Sequence, residues 1–240
     1  MTGVEPLPPP VWLRSANKPV KRQLSLDAVL EAALRLLDSG DLESVSMRRV
    51  AQELGTGPAS LYAYIGSKAE LDELLYDAAL APVVVPEPDP ERWRSQLLDL
   101  GVDVAKALAA RPGTARVALE TVVPSTPKAL ELMDGVLGLL KAGGIPAREA
   151  VVFADLFALH LTAGAWEMTL RSAPKQAAEE TEVRAAQIVQ YLDLVPADRL
   201  PHLREAFPLF GVEDDDPAAG LRTGLEMLVE GLVARQTGGG

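Results

Sequence analysis

The side chains best suited to chemistry in this 240-residue chain lie in "SMRRVAQELGTGPASLYAYIGSK", residues 46–68. Arg48, Arg49 and Lys68 supply fixed positive charge. Tyr62 and Tyr64 supply amphipathic rings whose hydroxyls can donate to phosphate while the ring stacks on sugar. That is the chemistry of holding a polyanion, not of breaking bonds. Elsewhere the inventory for covalent catalysis is thin. There is no cysteine, and no nucleophile stands beside a base. The two histidines, His160 and His202, lack the spacing of a metal motif, so neither a catalytic residue, a cofactor nor a metal is expected. "EDDDP" (213–217) could suggest a magnesium cluster, but it reads better as a solvated linker whose acids suit the start of a following helix.

The elements around the reading stretch must hold those groups outward. Leu26, Val29, Leu30, Ala33, Leu34 and Leu37 form a helical stripe opened by Ser25 as cap and closed by Gly40. A second helix is predicted over 46–54 and a third over 58–65. A fourth begins at Ser67 with Glu70 three residues on, the capping-box pattern. Ala51, Gly55 and Leu61 have the spacing of a helix-turn-helix: a small residue at the crossing, a glycine that accepts positive φ, and an apolar anchor. Gly57-Pro58 opens the recognition helix, with proline where its missing N–H costs nothing. With Leu61 and Ile65 inward, Ala59, Ser60, Tyr62, Ala63 and Tyr64 are expected to face outward. A helix pair with a glycine turn also occurs as plain scaffolding. Two exposed tyrosines flanked by cations favour the DNA-reading alternative.

The remainder is read as helical. Segments near 90–110, 113–122, 126–142, 147–171, 176–194 and 217–235 are separated by Arg111-Pro112-Gly113, Pro124, Gly143-Gly144, Pro174 and Pro196. No convincing strand pattern appears, so the fold class is all-α. The organisation expected is a flexible basic arm over 1–24, a helix-turn-helix domain over 25–72, and a ligand-binding and dimerisation domain over 73–236. Phe153, Phe157, His160, Gly164 and Met168 form one stripe of the 147–171 helix. Leu156, Leu159, Ala163, Trp166 and Leu170 form another, so this helix should be covered on both sides. Met133, Phe153, Phe157, His160 and Trp166 are the candidate ligand contacts. His160 is the one polar group among them, although a core histidine bonded to a carbonyl is the commoner arrangement.

Hydrophobic residues make up 48% of the chain and charged residues 24%, with a formal net charge of -11. These values fit a globular protein, and the acidity argues against indiscriminate nucleic-acid binding. No apolar run reaches the ~18 residues of a membrane span, and the N-terminus lacks the order of a secretory signal; a cytoplasmic protein with no membrane partner is expected. Yet no acid lies between Val11 and Leu26, where Arg14, Lys18, Lys21 and Arg22 cluster. Attraction to DNA is felt within a Debye length of ~8 Å. A local positive face can therefore coexist with a distant acidic body, and the arm can lie along a minor groove.

"LESVSMRRVAQELGTGPASLYAYIGSKAEL" (42–71) resembles the DNA-binding domain of the tetracycline-repressor (TetR) family. "ALAARPGTARVAL", "VLGLLKAGGIPAREAV" and "LVPADRLPHL" are similar to the helical C-terminal domain of its tetracycline-repressor branch. The resemblance implies a homodimer on a palindromic double-stranded operator, released by a small apolar or aromatic ligand. It places Ser46, Arg48, Tyr62, Ser67 and Lys68 on phosphates and Pro58, Ala59, Ser60, Ala63 and Tyr64 toward bases, with Arg22 and Arg49 adding to the positive face. It also implies that the helices near 147–171 and 217–235 form a four-helix dimer bundle. Ala63 is small where some members carry a large aromatic, Gly66 leaves the groove edge bare, and Met47 offers no hydroxyl, so the operator is not transferable. The rival readings are an all-α enzyme and a helical adaptor, either using the C-terminal cavity.

Overall fold

Ser25 caps the first helix in the way its hydroxyl suggests, accepting the Ala28 N–H at 3.1 Å. A computed structural model describes residues 24–120, 125–171, 175–196, 198–209, 216 and 218–237. Among them are α1 (Leu26–Asp38), α2 (Met47–Glu53), α3 (Pro58–Leu61), α4 (Lys68–Leu80), α5 (Trp93–Ala109), α6 (Thr114–Glu120), α7 (Pro127–Ala142), α8 (Ala147–Arg171), α9 (Lys175–Leu194), α10 (Pro201–Ala206) and α11 (Ala219–Thr237), with no strand. Single 3-10 turns occupy Leu42–Ser44 and Phe207–Leu209. Neither was expected, nor was α10, which carries His202.

The first four helices enclose a small core. Val29, Ala32, Ala33 and Leu37 of α1 meet Val50 and Ala51 of α2, Leu61 at the end of α3, and Leu71 and Leu75 of α4. The turn between α2 and α3 requires Gly55, whose φ of 63° an L side chain adopts at a cost. α3 is shorter than expected. The amides of Tyr64 and Ile65 both take the Leu61 carbonyl, at 2.8 and 2.9 Å, so the chain tightens after Leu61 instead of continuing as α-helix.

A larger core joins the end of α4 to α5, α7, α8 and α11, and α8 packs along α5. α8, at 25 residues, is long and apolar enough by composition to cross a membrane. Its packing shows where its apolar surface goes. Phe153, Phe157, Leu161, Ala165 and Met168 are buried, whereas Val152, Leu156, Leu159 and Leu170 are exposed along the opposite side. The two stripes legible in the sequence thus have different environments.

The two cores meet along α4 and at α6. Val117 of α6 is buried in the small core, and Tyr76 of α4 packs against both. Gly113, at φ 96°, lies so near Leu42 that a Cβ would overlap its side chain. The Leu42 N–H donates to the Pro112 carbonyl at 3.2 Å. Arg111 donates to Asp38 at 3.0 Å and to the Ala78 carbonyl at 2.9 Å, and Arg116 donates to Glu43 at 3.0 Å. The junction is therefore a set of directional contacts and not a loose hinge.

Candidate DNA-reading surface and apolar cavity

Pro58, Ala59, Ser60, Tyr62 and Ala63 form an exposed run at one end of the small core. Leu61 and Ile65, both fully buried, anchor it from beneath. Tyr62 is 49% exposed and fits the outward role expected of it. Tyr64 does not. It is only 5% exposed, and its hydroxyl donates to the Leu24 carbonyl at 2.8 Å. The expectation that Tyr64 faces bases is overturned: the tightened turn after Leu61 swings its ring inward, where the buried hydroxyl requires a partner.

Ser46 and Ser67 begin α2 and α4, accepting the Arg49 N–H at 3.2 Å and the Glu70 N–H at 3.1 Å. Each hydroxyl acts there as an acceptor, so its own proton remains free for a phosphate oxygen. The Glu70 carboxylate completes the box one residue early, accepting from Gly66 N–H at 2.6 Å. Arg48 is exposed. Arg49 is exposed too, but its guanidinium donates to the Ser44 carbonyl at 2.8 Å. Lys68 is tied to Asp72 one turn along α4. Burial holds the Asp72 carboxyl above its ordinary value despite that ammonium. The positive face is accordingly more restrained than the residue count suggests. Arg22 and the other arm cations lie outside the described residues.

Above the junction, α4, α5, α7 and α8 enclose an apolar cavity of about 110 Å³. Met133, half exposed at its edge, and the fully buried Phe157 line it, as expected. Phe153, His160 and Trp166 do not line it. Phe153 stacks on Phe157, ring centroids 5.7 Å apart, but borders a groove with Val152, Leu156, Met227 and Leu232 on the α8–α11 side. His160 faces α11, its Nε2 buried over Gly224 without a hydrogen-bond partner in a space no Cβ could share. Trp166 is 36% exposed on the outer side of α8. A 25-residue helix apolar all round does not reveal which stripe meets which neighbour.

Sequence reasoning missed the remaining walls, among them Tyr76 and Leu80 of α4, Val104 and Leu108 of α5, Leu132 and Val136 of α7, and Leu161 and Thr162 of α8. Tyr76 and Thr162 bring the only hydroxyls to this lining. Thr162 donates to the Ala158 carbonyl at 2.8 Å. Tyr76 has no protein partner among the described residues; burial, then the Asp77 charge, push its hydroxyl up to about 12. Asp77 also accepts the Lys128 N–H at 2.8 Å, fastening the first turn of α7 to α4. No group of acids and histidines able to hold a metal occurs among the described residues. Within "EDDDP", Asp216 accepts the Ala218 N–H at 2.9 Å just ahead of α11, the helix-start role expected of it.

An exposed short helix after a glycine turn, set beside an apolar cavity in a second helical core, describes a helix-turn-helix regulator with a sensor. Residues 29–73 match the family description "Bacterial regulatory proteins, tetR family", and residues 85–236 match "Tetracyclin repressor-like, C-terminal domain". The chain belongs to the TetR family of DNA-binding transcriptional regulators. It is 34% identical over 139 residues to the HTH-type transcriptional repressor DrrR1 of Streptomyces coeruleorubidus, covering 58% of this chain and 51% of that one. The match thus spans about half the length of that relative. It is 29% identical over 216 residues to the Escherichia coli tetracycline repressor protein class E, covering 89% and 92%. Apo ActR from Streptomyces coelicolor superposes with a TM-score of 0.76 at 34% identity, over 90% of this chain and 97% of that one. ActR in complex with actinorhodin gives 0.77 at 36%, over 88% and 96%.

Proposed function

We propose that the protein is a homodimeric repressor that binds a palindromic operator and leaves it when an apolar aromatic molecule enters the α4–α8 cavity. The observation that carries the reading is the exposed 58–63 run with Tyr62 outward, held by buried Leu61 and Ile65. Side chains there would meet base edges, while Arg48, Arg49, Lys68 and the capping serines meet phosphates. Dimer formation through the exposed apolar side of α8 and the adjoining α11 would bring two such heads to one face of a duplex, about 34–36 Å apart.

The cavity gives the effector its character. Its wall is apolar apart from the hydroxyls of Tyr76 and Thr162 and carries no charged side chain. A multi-ring compound with a carbonyl or phenol to meet Tyr76 suits it, and the likeness to a protein solved in complex with actinorhodin supports a multi-ring effector. At about 110 Å³ the space is below the ~300–1,000 Å³ of a typical ligand pocket. A multi-ring effector must therefore move the wall. Tyr76 and Leu80 are part of that wall and belong to the helix that packs in the DNA-reading core. Displacing α4 alters the spacing of the two heads; a coupling of ~1–3 kcal/mol would weaken operator binding about 5- to 150-fold.

Selection of duplexes from random fragments, followed by titration of the retained DNA with actinorhodin and related aromatic polyketides, tests this. Enrichment of a palindrome, its loss by the R48A/R49A/Y62A variant, and release by one such compound are expected. Retention of DNA throughout a broad aromatic series would overturn the effector class. Failure to enrich any duplex would overturn the operator reading.

A further inference from the structure

We infer that an open cleft on the other side of the α4–α5 contact from the cavity is a second ligand site, which takes a small amine with an apolar body and, when filled, opposes opening of the cavity. The opposition rests on the effector reading above; the site itself does not. The cleft lies where the end of α1, the end of α4 with the chain that follows it, and the second half of α5 meet, and its volume is about 560 Å³. That is within the ~300–1,000 Å³ of typical ligand pockets. Its charged side chains are Asp38, Asp103 and Arg111, two carboxylates against one guanidinium. Arg111 is already engaged, by Asp38 at 3.0 Å and by the Ala78 carbonyl at 2.9 Å. Asp103 has no ion-pair partner among the described residues. Pro82, Val84 and Ala110 supply apolar wall beside it. Val84 is 78% exposed, so an apolar body laid on it is taken out of water. An ammonium group therefore meets Asp103 while its hydrocarbon covers the wall, and a carboxylate is repelled.

The cleft and the cavity share a wall. Leu80 of α4 and Val104 and Leu108 of α5 line the cavity, while Ala79 of α4 and Asp103 and Ala107 of α5 line the cleft. Each cleft residue precedes a cavity residue by one position. At 3.6 residues per turn the two linings are turned about 100° from each other around both helices. α4 and α5 pack against each other between them. With one space on each side of that contact, a rocking of the helices that widens the cavity narrows the cleft. A multi-ring effector needs such widening, and a molecule in the cleft resists it. Asp38 closes α1 of the DNA-reading core, so the same molecule also bridges head and body.

The test uses the full-length protein and three probes sharing one apolar body: 4-phenylbutylamine, 4-phenylbutanol and 4-phenylbutyrate, titrated calorimetrically at low and high salt. The amine should bind roughly three- to five-fold more tightly than the alcohol and the carboxylate most weakly, with the amine's advantage shrinking as salt rises. Asp103→Asn should bring the amine down to the alcohol. Ala110→Trp, at an exposed position on the cleft wall, should displace all three, with a thermal melt showing that each variant folds. No binding, equal binding of the three, an amine preference that survives D103N, or binding untouched by A110W overturns the site. On the selected duplex, A110W should raise the actinorhodin concentration for half release about five-fold, and the amine should do the same in the parent chain. Release that either leaves unchanged or makes easier overturns the opposition. Should no compound of the aromatic series release DNA, the effector reading fails by itself, and the three titrations still decide the second site.

Discussion

Lys68 is held by Asp72 on the next turn of α4, and this exchange sets how much positive charge the reading surface presents. Burial raises the Asp72 carboxyl, so the folded chain favours its protonated form more than the unfolded chain does. That contribution to stability is present at low pH and is lost as pH rises from the unfolded value through the raised folded one. Asp72→Asn removes the buried charge and frees Lys68. It should tighten operator binding several-fold, with a salt slope steeper by about one per subunit, and change stability by less than ~1 kcal/mol because the Lys68 side chain, 37% exposed, is partly screened by solvent. Fluorescence anisotropy across a salt series and a denaturant melt check both. At this scale the caps at Ser25 and Ser67 and the positive φ of Gly55 were legible in the sequence, because each depends on a few adjacent residues. Tyr64 was not. Its direction depends on whether the turn after Leu61 stays α-helical, and residue types there permit either.

Among the elements, α4 connects reading to sensing. Its first turns close the small core, Tyr76 and Leu80 line the cavity, and Asp77 holds the start of α7. With burial pushing its hydroxyl from the ordinary 10.0 up to about 12, Tyr76 favours the fold while neutral. The sign is plain: this stability is complete below pH 10 and is lost as pH climbs through 12. Tyr76→Phe should therefore flatten the alkaline loss of stability between those limits by on the order of 2 kcal/mol, and weaken effector-induced release while leaving operator affinity near the parent's. Thermal melts at pH 8 to 12 and effector titrations distinguish the two effects. Helix existence was readable from apolar period and from proline or glycine breaks, and the 147–171 segment emerged with those bounds. The cavity was not, since its walls come from four helices and only α8 drew attention as apolar on every side. His160, the polar residue singled out there, faces Gly224 instead.

For the molecule as a whole, the exposed side of α8 is the feature a monomer leaves unexplained. Val152 and Leu156 continue onto Met227 and Gly231 of α11 around one groove. Leu156→Asp changes a side chain that is exposed in the monomer, so folding should survive while the dimer does not. Sedimentation should show monomers at micromolar concentration, and operator affinity should fall on the order of 100-fold or more as the second head ceases to bind intramolecularly. The all-α class and family were legible from the whole chain because motif order and break positions carry them. Net charge, by contrast, would have misled, because -11 averages over the whole chain and does not show that Arg48 and Arg49 stand exposed. Hydroxyl-radical footprinting of the selected duplex tests the central claim most directly. Two protected segments related by a dyad, with major-groove centres one helical turn apart, are predicted from paired heads bearing the 58–63 runs. A single protected segment, or two on opposite faces of the duplex, would contradict it.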